Sequence, residues 1–206
     1  MNNNKLDTVS RIMQAAITHF SRKGFGGARI DEIAKEAGVN KAAIYYHIGD
    51  KGALYEKVVE QVLGGMADRL TDNIKEAQTD SERIRVFIVT LARNISENEH
   101  IAPLILREIA EGGAALPDKV MLQMVRIFGA LFCILDEASA QGRYREVNPL
   151  IIHLLILGGL AAFTAGQGMR ESIASLGGED IQLDPDVSEE EAGRHIADLI
   201  AQALKK

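Results

Sequence analysis

The chain is predicted to be all-α, with an N-terminal three-helix helix-turn-helix domain and a C-terminal helical bundle, about nine helices in all. Three observations predict this. Apolar residues recur at i, i+3, i+4 and i+7 in one segment after another, and no sustained alternation marks a strand. Glycines and capping residues fall at the ends of those segments. The composition is that of a folded globular chain: 206 residues, 47% hydrophobic and 25% charged. That length allows one or two domains with an ample core.

The first helix spans about Leu6 to Lys23, with Val9, Ile12, Met13, Ala16 and Phe20 on one face. Gly24, Gly26 and Gly27 break it. Ile30, Ile33, Ala34 and Ala37 then make a short amphipathic helix. Gly38 ends it by supplying left-handed backbone, and Val39 plugs the turn. Asn40 caps the next helix, which Ile44 and Ile48 turn toward the core. Gly49-Asp50 is a second stop and cap, and the helix from Lys51 carries Leu54, Tyr55, Val58 and Val62. Gly64-Gly65 interrupt it.

Longer helices follow. Thr79-x-x-Glu82 is a capping box for a helix to about Ser96, with Ile84, Phe87, Ile88 and Leu91 inward. Pro103 fits only the first turn of a helix over about Ile101 to Glu111, ended by Gly112-Gly113. Pro117 opens a helix closed by Gly142. Asn148-Pro149 starts another, expected to run to about Ser175. Residues 176–187 read as an exposed loop, and Ser188-x-x-Glu191 is a capping box for a last helix to about Leu204. The expected domains are a helix-turn-helix over residues 1–50, a connecting helix over 51–70, and a bundle over 71–206.

Two short helices joined at a glycine form a motif whose second helix enters a DNA major groove. The net charge of −6 opposes that use, but it is unevenly spread. Residues 1–60 carry +2 and residues 61–206 carry −8. Affinity for DNA would then rest on a few placed contacts, not on a broad basic field.

Order and spacing over roughly residues 8–56 resemble the TetR family of bacterial transcriptional regulators. The matching frame is Ala15-Ala16, Phe20, Gly24-Phe25, Ile33-Ala34, Ala37-Gly38-Val39, Ile44-Tyr45-Tyr46-His47, Lys51 and Leu54. The resemblance implies a homodimer that binds a palindromic double-stranded DNA operator, with a small-molecule pocket in the bundle and the last long helices as the dimer interface. It implies phosphate contacts at Tyr45, His47 and Lys51, whose O–H and N–H groups are donors. Asn40, Lys41, Ala42, Ala43 and Tyr46 are then placed at the groove, where small alanines permit close approach. Two positions depart from the family. Ala28-Arg29 stand where a Ser or Thr hydroxyl is usual, so Arg29 is the candidate replacement contact, and Ile48 stands where Phe is usual.

The bundle offers no catalytic constellation. His19, His47, His100, His153 and His195 are scattered without metal-ligand spacing. An enzyme, a cofactor and a metal site are therefore not expected. The pocket candidates are polar or soft residues on apolar helices: Arg107, Met121, Met124, Phe128, Phe132, His153, Phe163 and Gln167. Arg107 with Glu108 either anchors an acidic ligand or pairs on a surface. Such a pocket fits an unidentified hydrophobic or amphipathic effector. The dimer candidates are Leu154, Leu157, Gly158, Ala161 and Ala165 with Ile196, Leu199, Ile200 and Ala203.

The lone Cys133 lies in an apolar run and reads as a small buried hydrophobe. One cysteine cannot form an internal disulfide, and the first residues lack an apolar signal segment, so a cytoplasmic protein is expected. Leu150 to Ala165 is too short and interrupted for a membrane span, and no membrane partner is expected. The leading expectation is a repressor released by its effector. The alternative is an architectural or division-linked DNA-binding protein without a small-molecule switch.

Overall fold

A computed structural model describes residues 2–63, 66–98, 100–113, 116–177 and 186–206. Among them the chain forms eleven helices and no strand. An isolated bridge pairs Tyr144 with Lys205. The helices are α1 (Asn2–Gly27), α2 (Ile30–Glu36), α3 (Lys41–His47), α4 (Lys51–Leu63), α5 (Met66–Glu76), α6 (Asp80–Glu97), α7 (Ile101–Ala110), α8 (Asp118–Ala140), α9 (Pro149–Ala165), α10 (Gln167–Leu176) and α11 (Glu189–Leu204). They fall into two compact units, residues 1–64 with 103–123, and residues 65–102 with 124–206. The segment 103–123, which the sequence assigns to the bundle, thus groups with the helix-turn-helix.

In the first unit α1 packs on α2 and α4, and α2 on α3. Ile12, Ala16 and Phe20 of α1 are buried with Ile33, Ile44, Leu54 and Tyr55. Phe20 meets the Tyr55 ring edge-on at 4.7 Å, a favoured aromatic arrangement. Gly38 has φ +64, which any L side chain would resist. There the amides of Gly38 and Val39 donate to Lys35 O and Ala34 O, closing α2. Asn40 then caps α3, its Oδ1 accepting from Ala43 N–H at 2.8 Å. Asp50 caps α4 in the same way, accepting from Ala53 N–H at 2.9 Å.

In the second unit α6 lies against α5, α9 and α11. Its inward stripe, Ile84, Phe87, Ile88 and Leu91, is fully buried. Both halves of the Thr79–Glu82 capping box form. Asn148 caps α9, with Pro149 at the first helical position. Ser188 caps α11, accepting from Glu191 N–H at 3.2 Å.

Three features differ from expectation. A separate α5 exists, driven by Met66, Ala67, Leu70 and Ile74, all buried on one face. The helix expected from Pro149 to Ser175 is two helices, α9 and α10, bent by 67°. The break falls at Gly166, where the Arg170 guanidinium takes up the Phe163 carbonyl. Cys133 is exposed, not buried. The expected interruption at Gly64-Gly65 and most of the expected loop over 176–187 lie outside the described residues. No single helix among those described is long and apolar enough to cross a membrane.

Candidate nucleic-acid interface

Burial of Ile44 turns one side of α3 inward and leaves the opposite side outward. Tyr46 is 81% exposed and Tyr45 48% exposed, large rings held in water by a rigid helix. Lys41 and Ala42 are exposed beside them, and Ala43 is half-buried. His47 is half-buried, its ring 5.0 Å from that of Tyr46. Its Nδ1 is buried without a hydrogen-bond partner among the described residues. Asn40 is exposed, but its Oδ1 serves the cap, so its amide N–H groups are what it can offer a phosphate.

Lys51 opens α4. Its Nζ donates to Gly26 O at 3.2 Å and sits 4.8 Å from the centre of the Phe25 ring. Both contacts hold the ammonium near the N-terminus of α4, where the helix dipole also favours an anion. Arg29 occupies the N-cap of α2 in extended conformation, with no side-chain cap bond. It is exposed, as a phosphate contact requires.

The sequence reading missed how far acidic partners occupy these cations. Lys41 Nζ lies 2.9 Å from Asp31 Oδ1. That hydrogen bond and charge raise the Lys41 pKa above its ordinary value. Behind the motif, His19 Nε2 sits 2.7 Å from Glu36, and Lys23 reaches Glu32 at 2.6 Å. The Lys23 hydrogen bond holds the Glu32 carboxyl below its usual range. Thus α2 is braced on one side to α1 and on the other to the start of α3. The only signal for this was the density of acids in Asp31-Glu32 and Glu36.

Also missed was a buried carboxylate. Glu108 of α7 is 4% exposed, not paired on a surface. It accepts from Tyr55 O–H at 2.9 Å and from Phe25 N–H at 3.1 Å. Burial, then the Glu108 charge, push the Tyr55 hydroxyl above its ordinary pKa, so it stays a donor.

The pocket candidates are divided between the two units. Arg107 and Met121 belong to the first unit. Arg107 pairs with Glu111 at 3.6 Å along its own helix, and Met121 is exposed. Gln167 is exposed and bonded to Glu171 at 3.0 Å, and Phe163 lies under the Arg170 guanidinium. Phe128, Phe132 and His153 do associate. The Phe128 ring is 6.3 Å from Phe132 and 5.4 Å from His153, while Phe87 flanks His153 at 6.3 Å. Phe132 is exposed at the rim of this cluster, and Met124 is half-buried. Burial lowers the His153 pKa, and its Nδ1 is buried without a partner among the described residues. A cavity of about 690 Å³ elsewhere in the second unit is polar, lined by Thr79, Asp80, Arg83, Glu137, Arg143 and Tyr144 among others.

Of the dimer candidates, Leu154, Ala165, Leu199 and Ala203 are exposed, and Leu157, Gly158 and Ile200 are half-buried. Ala161 is fully buried within the chain and cannot reach a partner. Ile196 packs internally, its Cδ1 lying 3.5 Å from the point a Cβ on Gly159 would occupy. Leu150, Ile151 and Leu155 extend the exposed apolar face of α9.

Residues 12–58 match the family described as bacterial regulatory proteins, tetR family. The HTH-type transcriptional repressor SCO4008 of Streptomyces coelicolor is 47% identical over 60 residues, 29% of this chain and 31% of that protein. The chain thus matches about a third of that relative's length. The probable HTH-type transcriptional regulator YttP of Bacillus subtilis is 25% identical over 142 residues, 68% of this chain and 69% of the other. The crystal structure of the transcriptional regulator FadR from Bacillus subtilis in complex with stearoyl-CoA superposes with TM-score 0.69. It covers 95% of this chain and 99% of that one at 18% identity, a likeness of fold.

Proposed function

We propose that this chain is a homodimeric repressor of the TetR family of bacterial transcriptional regulators, released from its operator by a small hydrophobic or amphipathic effector. The observation that carries the DNA-binding part is the outward face of α3, where Lys41, Ala42, Tyr45 and Tyr46 stand exposed on a helix anchored by buried Ile44. In this reading α3 enters the major groove. Tyr45, His47, Lys51 and Arg29 hold phosphates and fix the register, with Asn40 donating from its amide. Lys41, Ala42, Ala43 and Tyr46 face base edges. Two copies joined through the exposed apolar side of α9 and through α11 would present two such helices to a palindrome, about 34–36 Å apart.

The effector part is supported by the aromatic surroundings of His153. A neutral imidazole between Phe87 and Phe128 suits an apolar body with one hydrogen-bonding group. FadR of Bacillus subtilis, crystallised with stearoyl-CoA, has the same fold. An effector acts only through unequal affinity for the DNA-bound and released conformations.

The test has two stages. Selection from a random duplex library identifies an operator for the full chain. Long-chain acids, acyl thioesters and other apolar compounds are then titrated against that complex. The reading expects at least one to weaken operator binding tenfold or more. A specific operator with no responsive compound favours the second reading, a DNA-binding protein without a switch. That reading draws its support from the polar lining of the 690 Å³ cavity in the second unit.

A further inference from the structure

We propose that Glu108 is a positioning residue for the phosphate-contacting corner of the first unit, a role that rests on the DNA-binding reading above. The corner is built around the break in α1. Gly24 has φ +67, and the chain leaves helical geometry there. The positive φ strains any L side chain at this position, and its Cβ would displace the Arg107 side chain, whose Cδ would lie 2.8 Å away. The next residue, Phe25, directs its N–H to Glu108 Oε1 at 3.1 Å. The same oxygen accepts the Tyr55 hydroxyl at 2.9 Å. Tyr55 in turn packs its ring against Phe25, centroid to centroid 5.0 Å.

One carboxylate therefore joins three segments that are far apart in sequence, and each of its bonds ends on the structure beneath Lys51. The Phe25 ring lies under the Lys51 ammonium, and the following carbonyl, Gly26 O, accepts from it. An apolar side chain in place of Glu108 would fill the space. It would leave a backbone N–H and a buried phenol without acceptors, which the loop would relieve by moving. The loop that moves is the one that aims Lys51. Glu108 thus reaches DNA only through that lysine.

The test uses the full chain and the duplex selected by the wild type, with affinity followed by fluorescence anisotropy across a salt series. Circular dichroism confirms that each variant is folded, so that stability and affinity are read separately. Glu108→Ala is expected to weaken binding about tenfold and to flatten the slope of log affinity against log salt by about one. Lys51→Ala is expected to do the same, and the double variant to bind no worse than Lys51→Ala. Glu108→Gln, which keeps an acceptor oxygen, is expected to recover most of the loss. A folded Glu108→Ala chain with wild-type affinity and slope overturns the proposal. So does a double variant whose loss is the product of the two single losses. Should Glu108→Ala fail to fold, Tyr55→Phe takes its place, with the same slope change expected and a wild-type slope overturning it. A wild-type chain that selects no duplex overturns both this role and the DNA-binding reading.

Discussion

Tyr46 and Lys41 have different relations to the protein that carries them. Tyr46 is held only by its helix, and 81% of it is exposed. Lys41 is tied to Asp31 at 2.9 Å. Tyr46→Ala should therefore change which base pairs are preferred, seen by repeating the duplex selection, while leaving the salt slope within error. An unchanged preference would remove Tyr46 from the base-reading set. Asp31 places a negative charge beside the first residue of α3, where in the proposed reading it competes with DNA for Lys41. Asp31→Asn should tighten binding to random-sequence duplex several-fold while narrowing the gap to the selected operator. Equal affinity of both proteins for random duplex would show that the pair is only a surface contact. His153 makes a claim about pH. Burial depresses its folded pKa below the ordinary 6.5. The unfolded chain then binds more protons as pH falls, so the contribution to stability is full above pH 6.5 and lost on descent through the folded pKa. The melting temperature of the wild type should fall between pH 7.5 and 5.5 by more than that of His153→Gln.

At the scale of elements, helix ends were easier to read from sequence than helix interiors. Gly38, Asn40, the Thr79–Glu82 box and Asn148-Pro149 act on backbone groups within four residues of themselves, and all do in the structure what their identity implies. Thr79→Ala should cost about 1 kcal/mol in denaturant unfolding, and a loss near zero would mean that α6 is set by packing alone. What depends on distant partners was not legible. Met66, Leu70 and Ile74 form a regular stripe, but the charged and polar residues between them obscured α5. The bend between α9 and α10 falls at Gly166, where the Arg170 side chain meets Phe163 O, a contact that no periodicity encodes. The burial of Glu108 is decided by Tyr55 and Phe25, which lie 53 and 83 positions away in the chain. The exposed side of α3 was legible because the helix is short, capped and fixed by one buried isoleucine. The aromatic cluster was legible only in part: Phe128, Phe132 and His153 associate, whereas Gln167 of the same unit is bonded to Glu171.

For the molecule as a whole, charge is the governing quantity. The first 60 residues carry +2 and the remainder −8, so net charge alone supplies little indiscriminate attraction to DNA. In the proposed reading binding rests on a small set of placed donors, principally Lys51, Arg29, Tyr45 and His47, doubled in a dimer. Such an arrangement gives weak non-specific binding and a large ratio between operator and random sequence. The most direct test is that ratio, measured by anisotropy on the selected palindrome and on a scrambled duplex of equal length at 150 mM salt. The account predicts tighter binding to the palindrome by about 10³-fold or more. Equal affinity for the two duplexes, or binding to neither, would contradict it.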